Sequence, residues 1–368
     1  MPAPPPPAAG FNPLKVESAN GSSIKLGLLL QPAYRAVNTD NAALKGTAQN
    51  LFIRRTRFLA GGTLLGVIDY FFDTDVPNLF LSNNVAGAGM PPGPNAQVKN
   101  GAALTVQDAF ATFKAVGDAF KIDAGYMLPP MSHNAVQGAG TLYGLDYFSY
   151  TFQHTNSFGA SVPPVGRDVG VELRGLVLDN HLEYRAGLFQ GLRRAQTATE
   201  LGSQNMFRFT ARVQANLLDG EPGFFYGGTY LGKKSIASVG GSIDIQDKYK
   251  YFAGDALVDL PVGPGVLTAQ LNVAHWDGGT FIPALVKQTA YMGEAGYNFS
   301  PPGIGPIVRF EHLTVNGAPA NTDRFGAGLA WWALGHNSNL KAFYTNSKTQ
   351  RAARAINQFD LQWQLYFF

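Results

Sequence analysis

The sequence predicts an all-β protein, a membrane-spanning antiparallel β-barrel of about sixteen strands. Three observations carry that expectation. Apolar and polar residues alternate with a period of two through most of the chain. The composition is poor in charge, 14% Asp, Glu, Lys and Arg, yet rich in aromatics (12%) and glycine (43 residues), and no run reaches the ~18–20 apolar residues of a membrane helix. The last stretch, INQFDLQWQLYFF, is an alternating strand ending in aromatics. Lipid offers no hydrogen-bond partner, so strands that span it must close on themselves. The runner-up fold is a large soluble β-sandwich or β-solenoid, which would stay in solution without detergent.

Residues 1–22 form a Pro/Ala-rich tail, and 23–368 the barrel. The segment 1–12 reads as an extended polyproline stretch, either an inert linker or a docking segment for a periplasmic partner. MPAPPPPAAG has neither the basic start nor the apolar run of a signal peptide.

Strands are expected at 23–37, with Leu26, Leu28 and Leu30 on one face, and at 51–60, turned by Gly61-Gly62. The next, 63–73, puts Asp69 and Asp73 on its polar face. After a loop at 75–103 come 104–114 and 119–128, joined by a tight turn at 116–118. A second long loop, 129–166, leads to the clearest hairpin, 167–178 and 181–190, where Val169, Val171 and Leu173 oppose Glu172 and Arg174. Arg208 and Arg212 share the polar face of 206–217. An unusually long turn is expected at 219–234; an extra hairpin there would make the count about eighteen. Strands follow at 235–246, 249–260, 266–276, 287–299 with Glu294, and 306–315 with Arg309 and Glu311. The series ends with 323–333, 339–348 and 356–368. In the last, Phe359, Leu361, Trp363, Leu365 and Phe367 share one face and Gln358, Asp360, Gln362 and Gln364 the other, with Phe368 one residue out of register.

Short turns alternate with longer connections, as in outer-membrane barrels, which places both termini on the periplasmic side. A ring of about sixteen strands is too wide for side chains to fill, so the polar face would line a water-filled lumen. The candidates there are Arg54, Arg55, Arg57, Asp69, Asp73, Glu172, Arg174, Arg208, Arg212, Glu294, Arg309 and Glu311. Strict alternation does not allow Arg54, Arg55 and Arg57 all to face inward. Pairing with Asp69, Asp73 or Glu172 is the alternative to a solute-facing role for that cluster.

Several motifs, in order, resemble the phosphate-selective porin O/P family: LFIRRTRFLAGG (51–62) followed by IDYFFD (68–73), QDAFATFK (107–114), KIDAGYMLPP (121–130), RDVGVELRG (167–175) and HLEYRAGLFQG (181–191). The resemblance spans most of 23–217 and resumes at the closing strand. It implies a sixteen-stranded homotrimeric porin whose third outer loop folds into the pore. Residues 129–166 correspond to that loop. They hold one carboxylate, Asp146, no Lys or Arg, and the constriction candidates His133, Tyr143, Tyr147, Phe148 and Tyr150. A phosphate selector needs cations at its narrowest point, so this loop argues for uncharged or amphipathic solutes, or for inert packing against the wall.

The expected function is passive diffusion of small solutes and ions across a bacterial outer membrane, among lipid and lipopolysaccharide. The alternative is a barrel scaffold or sheath whose lumen or Pro-rich tail engages a partner protein. Six scattered His and no Cys give no metal motif, and no nucleotide-binding or GxSxG sequence is present, so no cofactor and no enzymatic activity are expected. A formal charge of +3 gives no reason to expect nucleic acid.

Overall fold

The computed structural model describes residues 14–39, 41, 45–81, 104–152 and 166–368. The Pro-rich stretch 1–12 therefore lies outside the described residues, as do 153–165 of the long loop and most of 75–103.

Eighteen strands follow in chain order. They are β1 (Leu14–Glu17), β2 (Ser23–Val37), β3 (Ala48–Leu64), β4 (Ile68–Asp75), β5 (Thr105–Val116) and β6 (Phe120–Met127). Next are β7 (Asp168–Val177), β8 (Leu182–Phe189), β9 (Arg208–Asn216), β10 (Ile236–Gln246), β11 (Tyr249–Val262) and β12 (Gly265–Asp277). The last are β13 (Gln288–Phe299), β14 (Ile304–Val315), β15 (Thr322–Trp331), β16 (Ala333–His336), β17 (Ser338–Thr349) and β18 (Ile356–Phe367). Each barrel strand pairs antiparallel with the next, and β18 returns to β2, so sixteen strands close the ring. The short β16 is not part of the ladder. The short β1, expected within the tail, pairs with the start of β2: Leu14 opposes Leu26 where β18 has ended with Phe367 opposite Leu28.

Alternation dictates the two faces. On β18, Phe359, Leu361 and Trp363 are exposed on the outer surface while Gln358, Asp360, Gln362 and Gln364 are buried. On β7, Val169, Val171 and Leu173 are exposed, and Glu172 and Arg174 are buried. Exposed Leu, Val, Phe, Tyr and Trp side chains recur on every barrel strand but β6. Such a band on a monomeric soluble protein would be an aggregation liability; around a barrel it is the lipid-facing belt.

The connections sort by end. Turns at 65–67, 117–119, 178–181, 263–264, 300–303 and 332–337 lie at one end, and the longer loops, with a tight turn at 247–248, at the other. Gly61-Gly62 is not a turn but lies within the long β3. Its missing side chains admit the Phe368 ring at Gly61 and the Ser23 carbonyl at Gly62, where a Cβ would sit 2.8 Å and 1.9 Å from them. Phe368 itself leaves the strand and turns inward, its ring edge-to-face with Phe71 at 5.5 Å.

The row Arg54, Arg55, Arg57 corrects the alternation argument. Leu30 pairs with Thr56 but Pro32 pairs with Ile53, so Gln31 alone faces both Arg54 and Arg55. Pro32 has no N–H for the ladder, and β3 carries one extra residue there, a β-bulge that re-aims a side chain. All three arginines are buried on the inner side.

Candidate functional site: a lumen entered from both ends

The inner wall is a girdle of ion pairs within strands and between strands one or two apart. Arg35 pairs with Asp360 at 2.7 Å across the β2–β18 seam. Arg57 bridges Asp73 (3.0 Å) and Asp75 (3.2 Å) on β4, and Arg174 reaches Asp123 on β6 at 2.6 Å. Arg185 bonds Glu183 (2.7 Å) and approaches Glu172 (3.6 Å). Arg208 holds Asp244 (2.6 Å) and Asp168 (3.3 Å), and Arg212 holds Asp255 (2.6 Å). Arg309 pairs with Glu294, and Arg324 with Glu311 at 3.3 Å. Asp69 stands apart, half-exposed near the short-turn end, held by Lys114 at 2.9 Å. Of the three partners expected for the arginine cluster, only Asp73 serves; Asp69 takes Lys114 and Glu172 takes Arg185. Each of these charges is compensated by an opposite one, which is the condition for burying it.

Two irregular segments occupy the space inside. The first is 128–152, leaving β6 at the long-loop end. Its backbone is bonded to strands from β11 round to β18. Lys341 of β17 donates to the carbonyls of Leu142 and Gly144, both at 2.7 Å. Arg309 of β14 donates to those of Asp146 (2.7 Å) and Tyr147 (3.1 Å). Gln364 of β18 reaches Gly140 (2.8 Å), and Tyr251 of β11 reaches Met131 (2.9 Å). Conversely, the His133 amide donates to Asp255 at 3.2 Å. Contacts with β3, β11, β14, β17 and β18 together place this segment within the ring. Gly144 permits the approach: a Cβ there would lie 2.1 Å from a Glu294 carboxylate oxygen.

Asp146 joins the segment to the bulge. It bonds Arg54, and accepts from Arg55 at 2.5 Å. Burial alone would raise its carboxyl, but Arg54 and Arg55 outweigh that and hold it well below the usual carboxylate range. Tyr147 follows, fully inside, its hydroxyl donating to the Gln137 carbonyl at 2.8 Å and its ring 5.6 Å from the Arg55 guanidinium carbon. Tyr143 stacks on Trp332 at 5.6 Å, and Phe148 lies edge-to-face with Tyr150 at 5.7 Å. These aromatics are buried in packing.

The second segment, 217–235, is the long turn expected at 219–234. It is neither an extra hairpin nor a surface loop, but enters the barrel from the short-turn end. Lys121 and Arg174 donate to the Pro222 carbonyl (2.8 and 3.1 Å), and Arg185 to that of Phe224 (3.0 Å). Its tip meets the first segment. Tyr226 stacks on His133 at 4.4 Å and 6°, accepts from Gly138 N–H (3.0 Å) and donates its own N–H to Val136 (3.1 Å). Glu221 bonds His133 at 2.8 Å, and also Tyr230. Burial would raise the Glu221 carboxyl; His133, Tyr230 and the Gly227 amide together lower it.

Among the described residues two cavities lie inside the ring. One, of about 100 Å³, opens at the long-loop end among Arg35, Arg54, Asp146, Arg309, Arg324 and Asp360. The other, of about 810 Å³, lies towards the short-turn end among Lys25, Arg57, Phe71, Phe110, Phe225 and Phe368. Among the described residues Tyr147 alone lines both. The bulged row runs the same way: Arg54 lines the first cavity and Arg57 the second, with Arg55 between. Sequence reasoning included Tyr147 among the loop aromatics but missed its position between cavities; it placed Asp123, Arg185 and Asp255 on polar strand faces without naming them as candidates, and it missed Asp244 and Lys341. Their signal was a charged residue at every second position of neighbouring strands, legible only once register is known. Among the described residues no group of three or more His, Asp or Glu is placed to hold a metal.

No family model matches the chain, and no curated protein matches it. Solved structures do. OprB of Pseudomonas putida, at high pH, superposes with a TM-score of 0.61 at 10% identity, covering 95% of this chain and 94% of that one. The outer-membrane channel DcaP of Acinetobacter baumannii gives 0.59 at 10% identity, covering 96% and 99%. OmpT, an outer-membrane protein of Vibrio cholerae in its trimer form, gives 0.53 at 10%, covering 94% and 99%. At such identities the likeness is one of fold, and the fold of this chain is that of the bacterial outer-membrane β-barrel channels.

Proposed function

We propose that the chain is an outer-membrane porin that lets small solutes diffuse passively between the two cavities, past the Tyr147 ring. The observation that carries this reading is the meeting of cavities from opposite ends at one side chain, beside an unbroken inward row of Arg54, Arg55 and Arg57. A wall whose charges are paired strand to strand presents a polar, nearly neutral surface, suited to uncharged or amphipathic solutes rather than to phosphate alone. The motif resemblance to the phosphate-selective O/P porins and the trimer form of one structural neighbour support a homotrimer with periplasmic termini. The remaining wall charges, Glu172, Arg174, Arg208, Arg212, Glu294 and Glu311, act in this reading by holding the lining in place. The scaffold alternative draws less support, because segments of the chain itself fill much of the lumen.

The test is single-channel recording in planar bilayers, with detergent-folded protein. Wild type is expected to give small, discrete steps, and Tyr147→Ala steps at least about twofold larger, because conductance is set by the narrowest section. Folded protein that gives no steps, in wild type and variant alike, would sink the porin reading.

A further inference from the structure

The 810 Å³ cavity gathers five phenyl rings, Phe71, Phe110 and Phe368 from the barrel and Phe224 and Phe225 from the second segment, on a lining that also carries Lys, Arg and Asp. Their centroids lie 4.3–6.2 Å apart in tilted and edge-to-face pairs. Phe71, Phe225 and Phe368 remain partly open to the cavity. A lumen built only for ions has no use for such a cluster, whose open edges and faces suit one more ring.

The same cavity is lined by more cations than carboxylates, and its two carboxylates among the described residues, Asp69 and Asp73, are already held by Lys114 and Arg57. Most of its cations are already neutralised: Arg57 by Asp73 and Asp75, Arg174 by Asp123, Lys121 by Asp118. Among the described residues Lys25 and Lys233 have no carboxylate within ion-pair distance. The Lys25 ammonium lies 3.9 Å from the centroid of Phe368, at the edge of the cluster. A cation without a carboxylate partner therefore stands beside an apolar floor, in a cavity whose volume falls in the range of small-molecule sites.

We infer that this cavity is a binding subsite for small aromatic anions, with the ring among Phe71, Phe225 and Phe368 and the carboxylate on Lys25. This extends the porin reading by naming a solute class, but the binding itself does not require conduction. Neither half of the site suffices: the phenyl cluster alone would hold neutral aromatics equally well, and the lysine alone any small anion.

The experiment is calorimetric titration of the detergent-folded full chain with benzoate, acetate and benzyl alcohol. Benzoate is expected to bind saturably and about tenfold or more tighter than either of the others. Lys25→Gln should weaken benzoate about fivefold and leave benzyl alcohol unchanged, whereas Lys25→Arg should retain benzoate binding. Phe225→Ala should weaken benzoate and benzyl alcohol together and leave acetate as it was. Benzoate no tighter than acetate, or no tighter than benzyl alcohol, would overturn the assignment, as would a Lys25→Gln protein that binds benzoate like wild type. If benzoate binds and no single-channel steps are seen, the porin reading fails while this site stands.

Discussion

The two segments inside the barrel are held in different ways. Segment 128–152 is tied to the wall itself, through carbonyls bonded by Lys341, Arg309 and Gln364 and through Asp146 on Arg54 and Arg55. Segment 217–235 also takes wall cations on its carbonyls and is bonded to Asp259 through Thr229 and Tyr230, but its tip rests on the other segment through Val136 and Gly138, and its one buried carboxylate reaches it through His133. The difference implies a hierarchy. The loop from the long-loop end is the foundation, and the turn from the short-turn end leans on it.

The largest expected effect comes from Arg309→Met. It frees two loop carbonyls and leaves Glu294, whose side chain is wholly inaccessible, with an uncompensated charge. Breaking a buried pair in this way costs about 3–5 kcal/mol, read as a lowered unfolding midpoint in detergent. Limited proteolysis should then cut both segments; cutting of 217–235 alone would refute the hierarchy.

Asp146→Asn should cost less, about 2 kcal/mol, because a third of the Asp146 side chain remains exposed to the long-loop cavity and solvent screens part of the loss. The same unfolding measurement, with proteolysis, should again show both segments loosened. Glu221→Gln should cost about 1 kcal/mol, the worth of a weakened hydrogen-bond set. Here hydrogen exchange should rise in 217–235 and stay at wild-type levels in 128–152. A rise in both would mean that the two segments support each other equally.

The smallest effect is that of acid. The folded-state values of Asp146 and Glu221 both lie below their unfolded ones. Each contribution is therefore complete above the unfolded carboxylate range and is lost only as pH falls through the lowered folded value. Conductance and protease resistance are expected to hold from neutral pH down past about 4 and to give way in stronger acid. Loosening at pH 5–6 would show that neither carboxylate is held as described.

The barrel was legible in the sequence because a two-residue period survives any fold that keeps one face in lipid. The closing strand, Phe359 to Phe367, lies in the structure as its pattern dictates. The pattern failed where backbone geometry departs from period two. RRTR at 54–57 cannot alternate, and its resolution, a bulge opposite Gln31-Pro32, needed a register that only pairing supplies. Gly61-Gly62 carried the composition of a turn but serves close approach. At 219–234 length alone marked the segment as unusual; nothing in its Gly and Phe content said that it would enter the barrel. The site was least legible of all, because Tyr147 owes its position to contacts from strands more than a hundred residues away.

The seam between β18 and β2 has a consequence for how the molecule is made. Every other junction in the ring joins strands consecutive around the barrel and close in sequence, whereas this one unites Asp360 with Arg35, 325 residues apart. Closing so long a loop adds little to the entropic cost, which grows with the logarithm of length, but the search for so distant a partner is slow. Until it succeeds, β2 and β18 both carry unpaired edges, which a bilayer does not tolerate. A half-built ring is thus no resting place: insertion and sealing must be completed together, and the zipper of Arg35, Asp360, Gln31 and Gln364 is where assembly ends.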